Sequence, residues 1–154
     1  GGKHYYIATM IPVDEEDRER IRRHIADRDG MGFETVEQGT HLLDCLRTCQ
    51  TDAAFLLDST TALLMNELFL PPDWHLDETA GERCGDEVAA FAQAVKHIVI
   101  VSDYIYSDAQ RYDNVTETYR RGLASIDRKL AAISDVVLEM SGGNLIVHKG
   151  VLPE

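Results

Sequence analysis

The chain has 154 residues, of which 44% are hydrophobic and 27% charged, and these values are ordinary for one soluble globular domain. Its 15 basic residues against 27 acidic ones give a formal net charge of −12, which disfavours nucleic-acid binding because that function needs positive surface. No apolar run reaches the roughly 18 residues of a membrane span, and no signal-peptide pattern opens the sequence. Three cysteines, an odd and low number, indicate reduced thiols in the cytoplasm and disfavour a zinc site.

The first elements of the chain are a strand and a charged helix. Aromatic and apolar residues over 4–10 predict the strand. Asp14 suits the N-cap of the helix that follows, because its carboxylate can accept from the first unpaired N–H groups. Only Ile21 and Ile25 form an apolar pair there, so one narrow stripe is expected to be buried. Gly30 and Gly32 are expected to end the helix.

The middle of the chain continues this alternation. Residues 33–37 (FETVE) predict a short strand, and residues 40–49 predict a helix. Residues 53–57 predict a buried strand that turns and continues as a helix through Phe69. The apolar face predicted for the helix over 40–49 consists of Leu42, Leu43 and Leu46.

A loop-like stretch over residues 70–87 separates this part from the next helix, expected over about 87–96. Prolines and glycines interrupt the stretch, and six acidic residues keep it solvated, so we expect a surface insertion. The residues concerned are Pro71, Pro72, Gly81 and Gly85.

The last third begins with HIVIVSD (97–103), whose continuous apolar run predicts a strand covered on both faces, as in parallel sheets. An amphipathic helix is predicted over 115–134, and a hairpin turning at Gly142 and Gly143 closes the chain. Strands alternating with helices predict one α/β domain over residues 1–154, with a three-layer, mostly parallel sheet.

Ligands of open α/β sheets bind beyond the carboxyl ends of the strands, and a basic helix follows the first of them. His24 lies in this helix, and Arg20 and Arg28 stand four residues to either side of it. Guanidinium groups bind phosphate oxygens, and a histidine among them can act as a nucleophile toward a phosphoryl group. The alternative is a solvated helix with Glu–Arg pairs. The arginines of the segment are Arg18, Arg20, Arg22, Arg23 and Arg28.

Two further strand ends carry a carboxylate. In LLDSTT (56–61), Asp58 stands at a strand end and three hydroxyl residues follow it. A carboxylate there commonly holds Mg²⁺ or orients a nucleophile; the alternative is that it caps the next helix. Asp103 ends the strand over 97–103 and could accept hydrogen bonds from a base or ribose, although it could equally be a polar strand terminus.

Ordered blocks of the sequence resemble the adenosylcobinamide kinase / adenosylcobinamide-phosphate guanylyltransferase family. YYIATMIPVDEEDRERIRRHIADR resembles its YIAT…D.EM..RI..H...R block, and FETVE its W.T.E strand. LLDSTTALLMNELF resembles D.(L/I)T....N.L, and the segment from Tyr119 to Lys149 resembles FRD..G..NQ.LA..AD.V..VVSGIP...K. These blocks cover nearly the whole chain in the family's order.

The resemblance implies a P-loop-type fold and a cytoplasmic enzyme of cobalamin assembly. Such an enzyme phosphorylates adenosylcobinamide with ATP or GTP, and transfers GMP from GTP to adenosylcobinamide phosphate through a guanylylated histidine. Mg²⁺ as cofactor and a homo-oligomer, a trimer, are implied as well. The guanylylated position falls on His24, the acidic strand end and metal ligand on Asp58, and the following hydroxyl on Thr60 or Thr61. Nucleotide or phosphate binding is expected from Arg20, Arg23, Arg28, Thr60, Thr61 and Asp103.

The sequence also departs from the family's pattern. The family has a first strand and a Gly-rich loop ending in Gly-Lys-Ser/Thr before YIAT, and we expect both to be absent from this chain. The family's NEVG and GRVNQ are DYIY (103–106) and ASIDR (124–128) here. Two alternatives therefore stay open: a non-catalytic member acting as a binding or assembly subunit, and a different small-molecule kinase with the same sheet.

Overall fold

A computed structural model describes residues 2–106 and 110–152 of the chain. Its strands are β1 (His4–Ala8), β2 (Phe33–Glu37), β3 (Ala54–Asp58), β4 (His97–Val101), β5 (Val137–Ser141) and β6 (Asn144–Lys149). Its α-helices are α1 (Glu15–Asp27), α2 (Thr60–Glu67), α3 (Ala80–Ala94) and α4 (Asn114–Ile133). A 3-10 helix over Leu42–Arg47 lies between β2 and β3.

Four strands form a parallel sheet in the order β2-β1-β3-β4, and β5 and β6 form a separate antiparallel hairpin. The predicted α/β class, the parallel sheet and the C-terminal hairpin are confirmed. Gly142 and Gly143 make the hairpin turn at φ of 56° and 80°, in the left-handed region that favours glycine. In the two described ranges, none of the helices has both the length and the apolar composition of a membrane span.

One face of the sheet builds the hydrophobic core, because alternate strand residues point to the same side. Tyr5 stacks on Phe55 with ring centroids 5.1 Å apart, and Phe91 of α3 meets Phe55 edge-on at 5.3 Å. Each fully buried apolar side chain of this kind contributes about 1.5–3 kcal/mol. The helical partners in the cluster include Leu63, Leu64, Val88, Leu123 and Ile126.

Helix α1 covers part of the opposite face. The Asp14 carboxylate accepts from the Asp17 N–H at 2.8 Å, so the predicted N-cap is confirmed. The helix has no fully buried residue, however. Of the predicted buried stripe, Ile21 is only half-buried and Ile25 is 46% exposed, so that prediction is wrong in degree.

Strand β4 is one of the two edge strands of the described sheet, and the prediction that both its faces are covered is wrong. Ile98 and Ile100 pack against the core, but Val99 is 63% exposed on the other face. An apolar run in the sequence predicts a strand, but it does not show which other elements cover the faces of that strand. Among the described residues, α1 lies over the β1–β2 side of that face.

Two of the predicted helix patterns are also corrected. Residues 42–47 form a 3-10 helix, in which residues three apart align, so Leu42 and Cys45 are buried while Leu43 is exposed. Helix α3 begins at Ala80, within the stretch expected to be a loop. The loop that remains is residues 68–79. The helices on either side of it are held together by an ion pair, in which buried Glu67 of α2 accepts from Arg83 Nη1 of α3 at 2.6 Å.

Candidate active site

The carboxyl ends of the central strands are joined through Thr9, directly after β1. The buried Thr9 hydroxyl donates to the Ser59 carbonyl at 2.8 Å and accepts from the Ser59 N–H at 2.8 Å. The peptide bond between Asp58 and Ser59 is cis. On the other side, the Gln38 N–H donates to the Ala8 carbonyl at 2.9 Å. Three strand ends are therefore fixed against one another.

A small cavity of about 80 Å³ lies between these strand ends and α1. Helix positions i, i+3, i+4 and i+7 face it, which is the spacing of one helix face. Those helix residues are Ile21, His24, Ile25 and Arg28. The sheet contributes Tyr6, Ala8, Thr35, Glu37 and Asp58, together with Met10, Ser59 and Ala62 from the segments that follow the strands.

Asp58 and Tyr6 meet on the sheet side of this pocket. The Tyr6 hydroxyl donates a short hydrogen bond to Asp58 Oδ2. Burial raises the pKa of Tyr6 to about 12, and the hydrogen bond to Asp58 acts in the same direction. The phenol is therefore protonated at neutral pH and holds the carboxylate in place.

Arg28 lies across the pocket with its guanidinium carbon 3.5 Å from the centroid of the Tyr6 ring. Its Nη2 donates to Thr35 Oγ1 at 3.3 Å, while its Nε is buried and has no partner among the described residues. A buried donor without an acceptor is costly, by about 1–3 kcal/mol. A bound anion would supply the missing acceptor.

His24 lines the same pocket and keeps solvent access, and within the described ranges its side chain makes no hydrogen bond or ion pair. The other arginines of α1 lie elsewhere. Arg20 Nη2 lies 3.8 Å from Glu16 Oε1, and Arg22 Nη2 donates to Glu15 Oε1 at 2.7 Å. Arg23 is exposed and lines neither of the two cavities. The structure thus brings His24 and Arg28 to the pocket, whereas Arg20 and Arg23 lie outside it.

The other predicted residues form a second cluster between the ends of β3 and β4. The Thr60 hydroxyl is buried and donates to the Val101 carbonyl at 3.5 Å. Thr61 Oγ1 accepts from the Asp103 N–H at 2.9 Å, and Asp103 itself is exposed. None of Thr60, Thr61 and Asp103 lines the His24 pocket.

A wider groove of about 480 Å³ adjoins the pocket and shares Ala8, Met10, Ile21 and Glu37 with it. Glu37 was missed in the sequence although it ends β2 as Asp58 ends β3, so the strand-end rule could have found it. The hydrogen bond between Tyr6 and Asp58 could not be predicted from a local sequence pattern, because it joins residues 52 positions apart.

Mg²⁺ was expected at Asp58. Among residues 2–106 and 110–152, no group of three or more His, Cys, Asp or Glu side chains is arranged to hold a metal ion. A single carboxylate is compatible with Mg²⁺, which is often bound by one or two carboxylates plus substrate phosphates and water. Asp58 offers one oxygen beyond that bound by Tyr6.

The parallel sheet, with a pocket lined by His24, Arg28 and Asp58 at the carboxyl ends of its strands, places the molecule among open α/β proteins that bind ligands at this edge. Comparison with protein-family models matches residues 1–147 to the cobinamide kinase / cobinamide phosphate guanyltransferase family. The chain belongs to this family of kinases and nucleotidyltransferases of cobalamin biosynthesis. Among curated proteins, no significant match is found.

Proposed function

We propose that the protein is a bifunctional adenosylcobinamide kinase / adenosylcobinamide-phosphate guanylyltransferase in which His24 carries the guanylyl group. The observation that supports this proposal is the meeting of His24, Arg28 and Asp58 in one pocket at the strand ends. Family membership supplies the substrates, GTP or ATP and the cobinamide.

The proposed guanylyl transfer has two balanced steps. A neutral imidazole nitrogen of His24 attacks the α-phosphorus of GTP, so that an N–P bond forms while the bond to the bridging oxygen breaks and pyrophosphate leaves. A phosphate oxygen of adenosylcobinamide phosphate then attacks the same phosphorus. The N–P bond breaks, its electron pair returns to His24, and GDP-linked adenosylcobinamide leaves.

The remaining pocket residues have supporting roles in this proposal. Arg28 has donors for the oxygens of the transferred phosphate, and losing a donor of this kind costs about 10²–10³-fold in rate. Asp58, fixed by Tyr6, is the proposed Mg²⁺ ligand, and the ion would neutralise phosphate charge. Thr61 and Asp103 are proposed nucleotide contacts for the kinase step. The Thr60 hydroxyl is buried and donates to the Val101 carbonyl, and its predicted contact with the nucleotide stays a prediction.

Incubation of the full chain with GTP labelled at the α-phosphate tests the role of His24. We expect acid-labile label on the wild type and none on His24→Ala, while His75→Ala, which removes another exposed histidine, keeps it. Label that persists on His24→Ala would contradict the assignment.

A second pair of variants tests the phosphate role of Arg28. Arg28→Met keeps an apolar stem over Tyr6 and should slow labelling about 100-fold. The control is Arg20→Met, which removes an arginine that pairs with Glu16 outside the pocket, so its rate should stay unchanged. Equal labelling rates for Arg28→Met and Arg20→Met would contradict the proposed phosphate contact of Arg28.

A binding or assembly subunit is the second candidate, and one contact favours it. Asp127, within the divergent ASIDR block, accepts from Ser102 Oγ and from Tyr106 of the divergent DYIY block, each at 2.7 Å. Both its oxygens are thus occupied by the protein itself. Binding of GTP without formation of labelled protein would favour this candidate over the enzyme.

A further inference from the structure

We propose that Asn66, on α2, is a positioning residue that sets the spacing of the strand ends beside the His24 pocket. Its effect on guanylyl transfer rests on the function proposed above. Asn66 lines neither the pocket nor the adjoining groove, so it does not touch a ligand there. Its side chain acts on the backbone that forms both.

The contact that carries this proposal is a double hydrogen bond. Asn66 Nδ2 donates to the Thr9 carbonyl at 2.7 Å and to the Gly39 carbonyl at 2.8 Å. Thr9 follows β1, whereas Gly39 lies two residues beyond the end of β2. An NH₂ group carries two donors on one atom, and here each is used on a different segment.

Gly39 packs closely against Ile11 in the wall of the groove. A Cβ built on Gly39 would lie 2.5 Å from Cγ1 and 2.6 Å from Cδ1 of Ile11. Gly39 and Ile11 both line the groove, and Met10 between Thr9 and Ile11 lines the groove and the pocket. Asn66 therefore fixes the two sides of this wall against each other.

This wall is connected directly to the proposed chemistry. Glu37, which faces both cavities, is the last residue of β2 and is two residues from the bonded Gly39. A movement of either strand end would thus move the walls against which a nucleotide is held. Misplacement of a substrate by 1 Å can slow a reaction by about 10²-fold.

The test compares Asn66→Ala and Asn66→Asp with Gln93→Ala, which removes an exposed amide from α3. Asp keeps the shape of Asn but, when ionised, has no donor for the two carbonyls. We expect the ¹³C-methyl resonances of Ile11 to shift in both Asn66 variants and those of Ile126, in the α3–α4 core, to stay in place. The guanylylation rate at saturating GTP should fall about 10–100-fold in both and stay unchanged in Gln93→Ala.

Unchanged Ile11 resonances in a folded Asn66 variant would overturn the proposal, and so would Ile126 shifts as large as those of Ile11. Shifted Ile11 resonances with an unchanged rate would overturn the catalytic consequence. If the wild type takes no label, the proposed function fails, and the methyl shifts still decide whether Asn66 positions the groove. If Asn66→Ala does not fold, Asn66→Asp, which keeps the shape of the side chain, decides the question by the same two readouts.

Discussion

Arg20 and Arg28 stand at equal distances from His24 in the sequence but differ in environment. At about 100° per residue, Arg28 is displaced by about 40° from His24 around the helix axis and Arg20 by the same angle in the opposite sense. Ile21 and Ile25 lie on the Arg28 side, and this is the side that lines the pocket. The i±4 rule thus predicted proximity to His24 but not which neighbour meets the sheet.

The Tyr6–Asp58 bond has a consequence for stability against pH. A tyrosine whose folded-state pKa is raised from its usual 10 to about 12 stabilises the fold fully below pH 10, and this contribution is lost as the pH rises toward 12. Tyr6→Phe should therefore be less stable than the wild type at pH 8, by about 1.5–3 kcal/mol for a hydrogen bond to a charged group. The difference should shrink between pH 10 and 12.

Urea unfolding at pH 8, 10 and 11 measures this difference. Tyr104→Phe is the matched control, because Tyr104 is 67% exposed and loses nothing comparable on substitution. A difference between the wild type and Tyr6→Phe that stays constant up to pH 11 would contradict the assignment. An equal loss at pH 8 in Tyr104→Phe would do so as well.

At the scale of elements, α3 shows where sequence patterns mislead. Glycine is unfavourable inside a helix, so Gly81 and Gly85 predicted a loop. In the structure both are buried within α3, and Gly81 faces Gly122 of α4. The glycines are needed for a close approach of two helices, and this requirement arises only after the helices have packed.

The same contact predicts opposite outcomes for two similar substitutions. A Cβ at Gly81 would lie 2.3 Å from the Gly122 Cα, a backbone atom, so Gly81→Ala should destabilise the protein by about 1–3 kcal/mol. At Gly85 the nearest atom is Cδ of the flexible Lys129 side chain, at 3.3 Å. Gly85→Ala should therefore be neutral, or stabilising by up to about 1 kcal/mol. Thermal and urea unfolding decide, and equal effects would refute a backbone contact between α3 and α4.

The elements that the sequence predicted correctly are those that local chemistry determines. The Asp14 cap, the strand FETVE and the turn at Gly142 and Gly143 each follow from residues adjacent in the chain. The exposed face of β4 and the two hydrogen bonds of the Asn66 side chain depend on contacts between elements that are distant in the sequence. The candidate site divides in the same way. His24, Arg28 and Asp58 were predicted and lie together in the structure, whereas the contacts that Tyr6, Glu37 and Asn66 make beside them were found only in it.

At the scale of the whole molecule, parallel pairing makes the site possible. Thr9 and Ser59 are 50 positions apart, yet their strands end at one edge of the sheet and exchange two hydrogen bonds. Each parallel connection requires a crossover, and α1, which makes the first, packs over the face of the sheet beside this edge and carries His24. The pocket therefore depends on the sheet being intact, and the stability of the core bears directly on function.

The cysteines report on that core. Cys45 on the 3-10 helix and Cys84 on α3 are buried, and burial raises the pKa of each thiol to about 12, so both stay protonated at pH 8. Cys49 is half-buried. In the native protein, we expect an aromatic disulfide reagent at pH 8 to modify one thiol readily, and this fast phase to disappear in Cys49→Ser.

Cys45 and Cys84 should become reactive only when the sheet and its helices separate, because both belong to the same hydrophobic cluster. Their modification should follow urea with the same midpoint as the loss of far-UV circular dichroism, since one core of this size unfolds cooperatively. Two rapidly modified thiols in the native protein, or exposure of Cys84 at lower urea than the loss of secondary structure, would show that α3 opens independently of the sheet. The His24 pocket, which α3 does not line, could then persist in a partly opened molecule.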